Sequence, residues 1–286
     1  MSEQSTNNSI RVPGDKRGPG AWLMYWRLIV TSIKAQMQYK VSFIMFTIGE
    51  MITSSSELIV IWALFDRFGR LEQWGLAEIC VFYGMVNIAF AIADAITTGF
   101  DKFGTLYVRT GDLDRLTLRP RSLVVQLLGH ELALRRVGRL MQGVIVLIYG
   151  FYSLGIGVGP LLLLQILVTL CGTVCFFTAL FVFQATLSFW TVESLEIMNT
   201  LTYGGVEASQ YPLTIYEDWF RKFFTFVIPL GCVSYFPVVA ILGIDDPLGT
   251  SRAFQVLAPV TGVAFLGVSL VIFHSIGLRH YQSTGS

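Results

Sequence analysis

The charged residues of this chain fall into two sets, and each suggests its own chemistry. The first set is acidic and lies where acids are rare. Glu50 and Glu57 are seven residues apart inside one apolar run, and Asn87 and Asp94 are seven apart inside the next. Seven residues make about two helical turns, so each pair shares a helix face. Thr53, Ser54, Ser55 and Ser56 lie between the two glutamates. Intramembrane carboxylates are costly and normally face a bundle interior or water. Two roles fit: a polar wall along a translocation path, or structural glue between spans. With the two runs as antiparallel neighbours, Glu50 and Asp94 stand at similar shallow depth, where they repel unless one is protonated.

The second set is basic. Residues 101–139 carry Lys102, Arg109, Arg115, Arg119, Arg121, Arg135, Arg136 and Arg139, eight of the chain's 20 Lys and Arg. Near the middle stands GDLDRLTLRP, residues 111–120. Gly111 suits a turn, and Asp112 and Asp114 suit the positive start of a short helix. Arg115 follows them, and Arg119–Pro120 marks the stop. Topology and contact with anionic lipid explain the charge alone. The turn–helix–stop pattern predicts a short surface helix on which another protein docks.

Other chemistries lack their residues. None of the five Lys stands in a phosphate-cradling GK[ST] context, so no nucleotide-binding loop is present. There is no GxSxG or HExxH, and His130, His274 and His280 are far apart. Cys80, Cys171, Cys175 and Cys232 all lie in apolar runs and read as packing residues. No metal, catalytic residue or cofactor is expected in this chain.

The elements that must position these residues are membrane helices. The chain is 53% hydrophobic and only 14% charged over 286 residues, with a mean hydropathy of +0.63. A soluble domain carries nearer a quarter charged residues. The net charge of +1 points to no nucleic-acid partner. Residues 1–20 read as a flexible cytoplasmic tail, and 21–286 as a single membrane domain. Residues 21–40 read as an interfacial helix, with Arg27, Thr31, Lys34 and Gln38 on one stripe and Trp22, Trp26, Ile29 and Ile33 on the other. Spans are predicted near 42–65, 77–100, 137–156, 161–183 and 256–278, each close to the ~20 residues a bilayer requires.

Residues 187–245 allow two arrangements. Hydropathy favours 223–244 as the fifth span, despite Pro229 and Pro237. Alternatively 187–206 crosses as a polar span and 223–244 is re-entrant, which is tolerated where backbone packs on protein. Both arrangements give six spans and cytoplasmic termini. Lys and Arg divide 17 inside to three outside in the first arrangement, and 15 to five in the second.

The motifs resemble those of a known family. RTGDLDRLTLRP (109–120), LSFW (187–190), YPLTIYEDWFRKFFTFVIP (211–229) and YFP (235–237) are similar to the membrane subunit of a type-2 ATP-binding-cassette exporter. With the spans, the likeness covers roughly 25–280. It implies an all-α membrane permease of six spans, an amphipathic cytoplasmic helix, and a coupling helix at Gly111, Asp112, Asp114, Arg115, Arg119 and Pro120. It also implies re-entrant helices before the last span, which favours the second arrangement. The implied partners are ABC ATPase subunits, which carry the ATP and Mg, and a second permease copy or a homologue, in lipid. The implied place is the bacterial cell (inner) membrane, and the implied cargo is lipophilic or amphipathic. Two rival functions remain: an ion-gradient-driven transporter or channel using Glu50, Glu57 and Asp94, and a scaffold without transport.

Overall fold

The computed structural model describes residues 21–118, 122–190 and 195–280. The expected tail at 1–20, Arg119 and Pro120 lie outside these residues. The described chain is helical, with one isolated β-bridge at Leu71 and Trp74. Helix α1 (Ala21–Met37) is followed by α2 (Lys40–Phe68) and α3 (Leu76–Ile96). Short helices follow: α4 (Thr98–Asp101), a π-turn at Gly104–Val108, α5 (Leu113–Thr117) and α6 (Leu123–Leu128). Then come α7 (Val137–Leu154) and α8 (Pro160–Leu187). Gly155 ends α7 in the left-handed region, where a glycine is least strained, and Pro160 occupies the first turn of α8, where its missing N–H costs nothing.

The C-terminal third contains α9 (Leu195–Ser209), α10 (Asp218–Lys222), α11 (Leu230–Val233) and α12 (Tyr235–Leu242). It closes with α13 (Arg252–Leu257), α14 (Val260–Ile272) and α15 (Leu278–His280). Among the described residues five helical segments are long and apolar enough to cross a membrane: α2, α3, α7, α8 and Val260–His280. The second span stops at Ile96, earlier than expected, and a short helix resumes at Thr98.

Helix α3 is the centre of the bundle and is the most buried of the spans. It meets α7 through glycines. A Cβ on Gly84 would stand 2.7 Å from the Leu147 Cβ and 2.9 Å from the Gly143 carbonyl. The α8–α14 crossing is closer still, since a Cβ on Gly262 would collide with the Gly172 carbonyl. Small residues at such crossings let membrane helices approach closely.

Aromatic clusters mark the two ends of the bundle. At one end Phe100 and Phe103 pack on Phe273, and Phe103 packs on Phe189. This end also carries the 97–136 connection and is called the loop face below. At the other end Trp74 packs against Phe82 and Tyr235. Helix α8 ends at the loop face, beside Phe189, and the last span reaches that face at Phe273. The intervening chain therefore changes face once. The Trp74 indole donates to Thr214 Oγ1 at 2.9 Å, which places the chain after α9 at the Trp74 face. Helix α9 thus makes the crossing, although its 15 residues are too few to be recognised by length.

The pair Asp218–Val227 and Leu230–Leu242 is bent by 73°. It dips and returns to the Trp74 face. At its deep end Thr173, midway along α8, donates to the Val233 carbonyl at 2.7 Å. At its exit the Tyr235 hydroxyl reaches Asp246 at 2.7 Å and Arg252 donates to the Ala240 carbonyl at 2.8 Å. These contacts fit the re-entrant arrangement. The crossing helix covers 195–209 rather than 187–206, because α8 continues to Leu187.

Candidate functional site

The acidic residues singled out by their spacing lie together, and each meets α7 or the 3-10 turn that leads into it. Arg136, at the start of α7, puts its Nη1 2.6 Å from Glu50 Oε1 on α2 and its Nε 2.6 Å from Asp94 Oδ2 on α3. Glu50 and Asp94 do share one depth, as their spacing implied. The guanidinium between them offsets their mutual repulsion. One turn further along α7, Arg139 donates through Nε to Asn87 Oδ1 at 2.7 Å and approaches Glu57 at 3.7 Å. Its guanidinium lies 5.1 Å from the centre of the Phe90 ring. Another turn on, Gln142 donates to the Tyr83 hydroxyl at 3.3 Å, and Tyr83 donates to Glu57 Oε2 at 3.2 Å.

The result is a ladder with rungs at Arg136, Arg139 and Gln142, spaced three residues apart on one face of α7. It binds α2 and α3 to α7 across the bundle. Sequence reasoning located the acids but missed the arginines, which it counted as loop charge. The available signal was the i, i+3, i+6 spacing of Arg136, Arg139 and Gln142 at the mouth of an apolar run. Among the described residues no three His, Cys, Asp or Glu are grouped to hold a metal.

The segment feeding Arg136 into the ladder is itself tied down. The backbone N–H of Leu132 donates to Ser32 Oγ at 3.1 Å, and that of Leu134 to Gln36 Oε1 at 3.2 Å. Both acceptors belong to α1. Ala133 donates to the Ala95 carbonyl of α3 at 3.0 Å. The residues of α1 that dock are Ser32, Gln36 and the buried Ile29, while Arg27, Thr31, Lys34 and Gln38 form an exposed stripe. Lys102 and Glu131 add an ion pair at 3.3 Å across the loop face.

The short helix expected from GDLDRLTLRP is α5. Gly111, with φ +74°, makes the turn before it. Leu113 is fully buried and Leu116 nearly so, and Gln126 of α6 donates to the Leu116 carbonyl at 3.2 Å. The helix is therefore mounted on its apolar side. On the other side Arg115 is 83% exposed and Leu118 84%. Asp112 stands at the cap position but accepts no backbone hydrogen bond there. Its carboxylate meets Arg115 at 3.2 Å and the Thr110 hydroxyl at 3.1 Å instead. Asp114 lies in the first turn, where its charge suits the helix dipole. His130 and Tyr107, on either side of α5 and α6, share a hydrogen bond at 2.9 Å, and burial lowers the His130 pKa.

Comparison with known proteins gives one result that matches these features. The family model described as "ABC-2 family transporter protein" matches residues 51–285, more than four-fifths of the chain, and takes in every span but the start of the first. Neither the curated proteins nor the solved structures returned a match. An all-α bundle of this length, with its polar ladder inside and a short helix mounted on one face, is thus a multi-pass permease subunit, and the chain belongs to the ABC-2 family of transporters.

Proposed function

We propose that this permease works as the membrane half of an exporter driven by ATP hydrolysis on a separate ABC ATPase chain, which carries the ATP and Mg. The loop face is cytoplasmic in this reading, by the Lys and Arg count. Two permease copies, or this chain and a homologue, pair in the bacterial cell membrane and alternate access for a lipophilic or amphipathic compound. The observation that carries the reading is α5. It presents Arg115 and Leu118 outward while Leu113 and Leu116 anchor it in the core. Such a knob meets a partner's cleft and passes its motion inward. The inward route is the 131–136 segment, held by α1 and α3 and ending at Arg136.

A gradient-driven carrier using Glu50, Glu57 and Asp94 is less well supported. A carboxylate that relays ions must gain and lose its partner cheaply, and Glu50 and Asp94 share a largely buried guanidinium at 2.6 Å. The test of the exporter is copurification of an ATPase, followed by transport in vesicles containing both proteins. Arg115→Ala with Leu118→Ala should weaken ATPase association or uncouple hydrolysis from transport. Loss of a desolvated charged contact costs about 2–5 kcal/mol. Arg70→Ala, at the opposite face, should do neither. Full ATP-driven transport by the double variant would refute α5 as the coupling element.

A further inference from the structure

Helix α9 turns its polar side outward. Met198, Thr202, Val206 and Ser209, at helical spacing, are buried against the bundle. Glu196, Asn199, Thr200, Gly204 and Glu207 form the opposite stripe, and all five are exposed. Helices α7 and α8 and the last span do the reverse: they turn large apolar residues outward, among them Ile148, Leu167 and Val271. A carboxylate or amide on a crossing helix needs water or a polar neighbour, and acyl chains offer neither. From Glu196 to Glu207 the stripe rises about 16 Å, at 1.5 Å per residue, which is about half of the ~30 Å hydrocarbon core. It is too long to be a fringe at the membrane surface.

The neighbouring wall has the opposite character. Helix α2 is the least buried of the spans, and Ile52, Ile59, Val60 and Trp62 are exposed on it. A cavity of about 270 Å³ opens between the two helices, with Ser56 and Val60 of α2 on one side and Glu207 and Tyr211 on the other. Ser56 also borders a hollow of about 490 Å³ along α2, walled mainly by Ile48, Met51, Ile52 and Ile59. A polar recess therefore runs on into an apolar trough. The recess is just under the usual range of ligand pockets, about 300–1,000 Å³, so it suits a headgroup and not a whole molecule.

We propose that the groove between α2 and α9 takes one amphipathic molecule lengthwise, with its polar head against the hydrated stripe of α9 and its chain in the α2 trough. Each wall supplies what the other half of such a molecule lacks in that place: the stripe gives the head hydrogen bonds at a depth where lipid gives none, and the trough keeps the chain out of water. This inference rests on the reading of the chain as a carrier of amphipathic compounds, and it says where on one copy such a compound lies. The acids of the ladder stand apart from the groove in this respect, since Glu50 and Asp94 are held by Arg136.

The test uses the full chain in phospholipid vesicles, without an ATPase. It measures the rate at which a charged methanethiosulfonate, present on both sides, labels one cysteine at a time in a chain whose other cysteines are replaced. Gly204→Cys places its side chain in open space, so the fold should survive. The control keeps Cys171 alone, which is exposed on α8 beside the apolar Leu167 and Val168. Gly204→Cys should label about tenfold faster than Cys171 or more, because the reacting thiolate forms in water and not in lipid. Lysophosphatidylethanolamine should slow Gly204→Cys about threefold or more by occupying the groove. Glycerophosphoethanolamine, the same head without a chain, should leave the rate unchanged. Glu217→Cys, exposed at the Trp74 face, should be indifferent to both. The proposal is overturned if Gly204→Cys labels no faster than Cys171, for then a second copy or acyl chains cover the stripe dry. It is overturned too if the lysolipid gives no protection, if the head alone protects equally, or if Glu217→Cys is slowed as much. The exporter reading fails separately: it falls if no ATPase drives transport, whatever the labelling gives, and it stands if ATP-driven transport persists while Gly204→Cys stays dry or unprotected.

Discussion

Replacing Arg136 with Met should be the most damaging single change in the ladder. The side chain is 15% exposed, and it holds Glu50, 24% exposed, and Asp94, 5% exposed, each at 2.6 Å. Removing it leaves two carboxylates facing each other in the bundle without their common counter-charge. Breaking a buried pair in this way costs about 3–5 kcal/mol. The partial exposure of Glu50 lets water screen some of that, so the lower end, about 3 kcal/mol, is expected. For a chain of this size each kcal/mol moves the midpoint by about 2–4 °C, which gives a fall of about 6–12 °C. The assay is thermal unfolding of the purified chain in detergent. The decisive comparison is the triple variant Arg136→Met, Glu50→Gln, Asp94→Asn. It removes all three charges, and it should recover most of the loss, because an apolar or neutral replacement of a whole buried ion pair is often nearly neutral. If Arg136→Met alone is as stable as the triple variant, the carboxylates do not depend on the arginine and the ladder is an incidental contact.

Three further outcomes follow from particular contacts. Gly262→Ala should destabilise the α8–α14 crossing by about 1–3 kcal/mol, since the new methyl meets the Gly172 backbone, whereas Gly49→Ala, with nothing within 4 Å, should be silent in the same melt. A cysteine at Glu217, in a chain whose native cysteines are replaced, should react with an impermeant reagent from outside intact cells, because the residue follows the Thr214–Trp74 contact at the face opposite α5; protection until permeabilisation would refute the crossing by α9. Glu57→Gln should keep the fold and change the range of compounds transported, measured in the same vesicles as the ATPase test, while unchanged transport would assign Glu57 to structure alone.

How much of this was legible in the sequence depended on how local the cause was. The long apolar helices were visible because about 20 apolar residues in a row have few other uses. The turn at Gly111 and the short α5 were visible because glycine, aspartate and proline act on their immediate neighbours. Helix α9 was legible only as one of two arrangements, preferred through the family resemblance, because nothing local marks it as a crossing: Glu196, Asn199 and Glu207 make it polar, and its direction shows in the contact of Thr214 with Trp74, 140 residues away in sequence. The acids at 50, 57 and 94 stood out by rarity. Their partners did not, because an arginine just before a span looks the same whether it faces water or a carboxylate. Asp112 misled in the other direction: it has the right type and place for a cap, yet Arg115 and Thr110 hold its carboxylate.

The placement of those arginines runs against local preference, and that is the strongest sign that the ladder shapes the bundle. Arg136 stands at the cap position of α7 and Arg139 in its first turn, with no acid beside them on that turn. A helix start carries about half a positive charge, so cations there are disfavoured by about 0.3–1 kcal/mol each. The compensation comes from other helices: Glu50 and Glu57 on α2, Asp94 and Asn87 on α3. The start of α7 is therefore stabilised by its neighbours. The same two residues had been counted as loop charge. The orientation inferred from Lys and Arg is unaffected, because that rule counts cations whether or not they are paired. The docking inference is affected. Arg136 and Arg139 are engaged in the ladder and Lys102 is held by Glu131, whereas Arg109 and Arg115 are exposed. A partner that approaches the loop face therefore meets α5 and its immediate approach, while Lys102, Arg136 and Arg139 answer acids within the same chain.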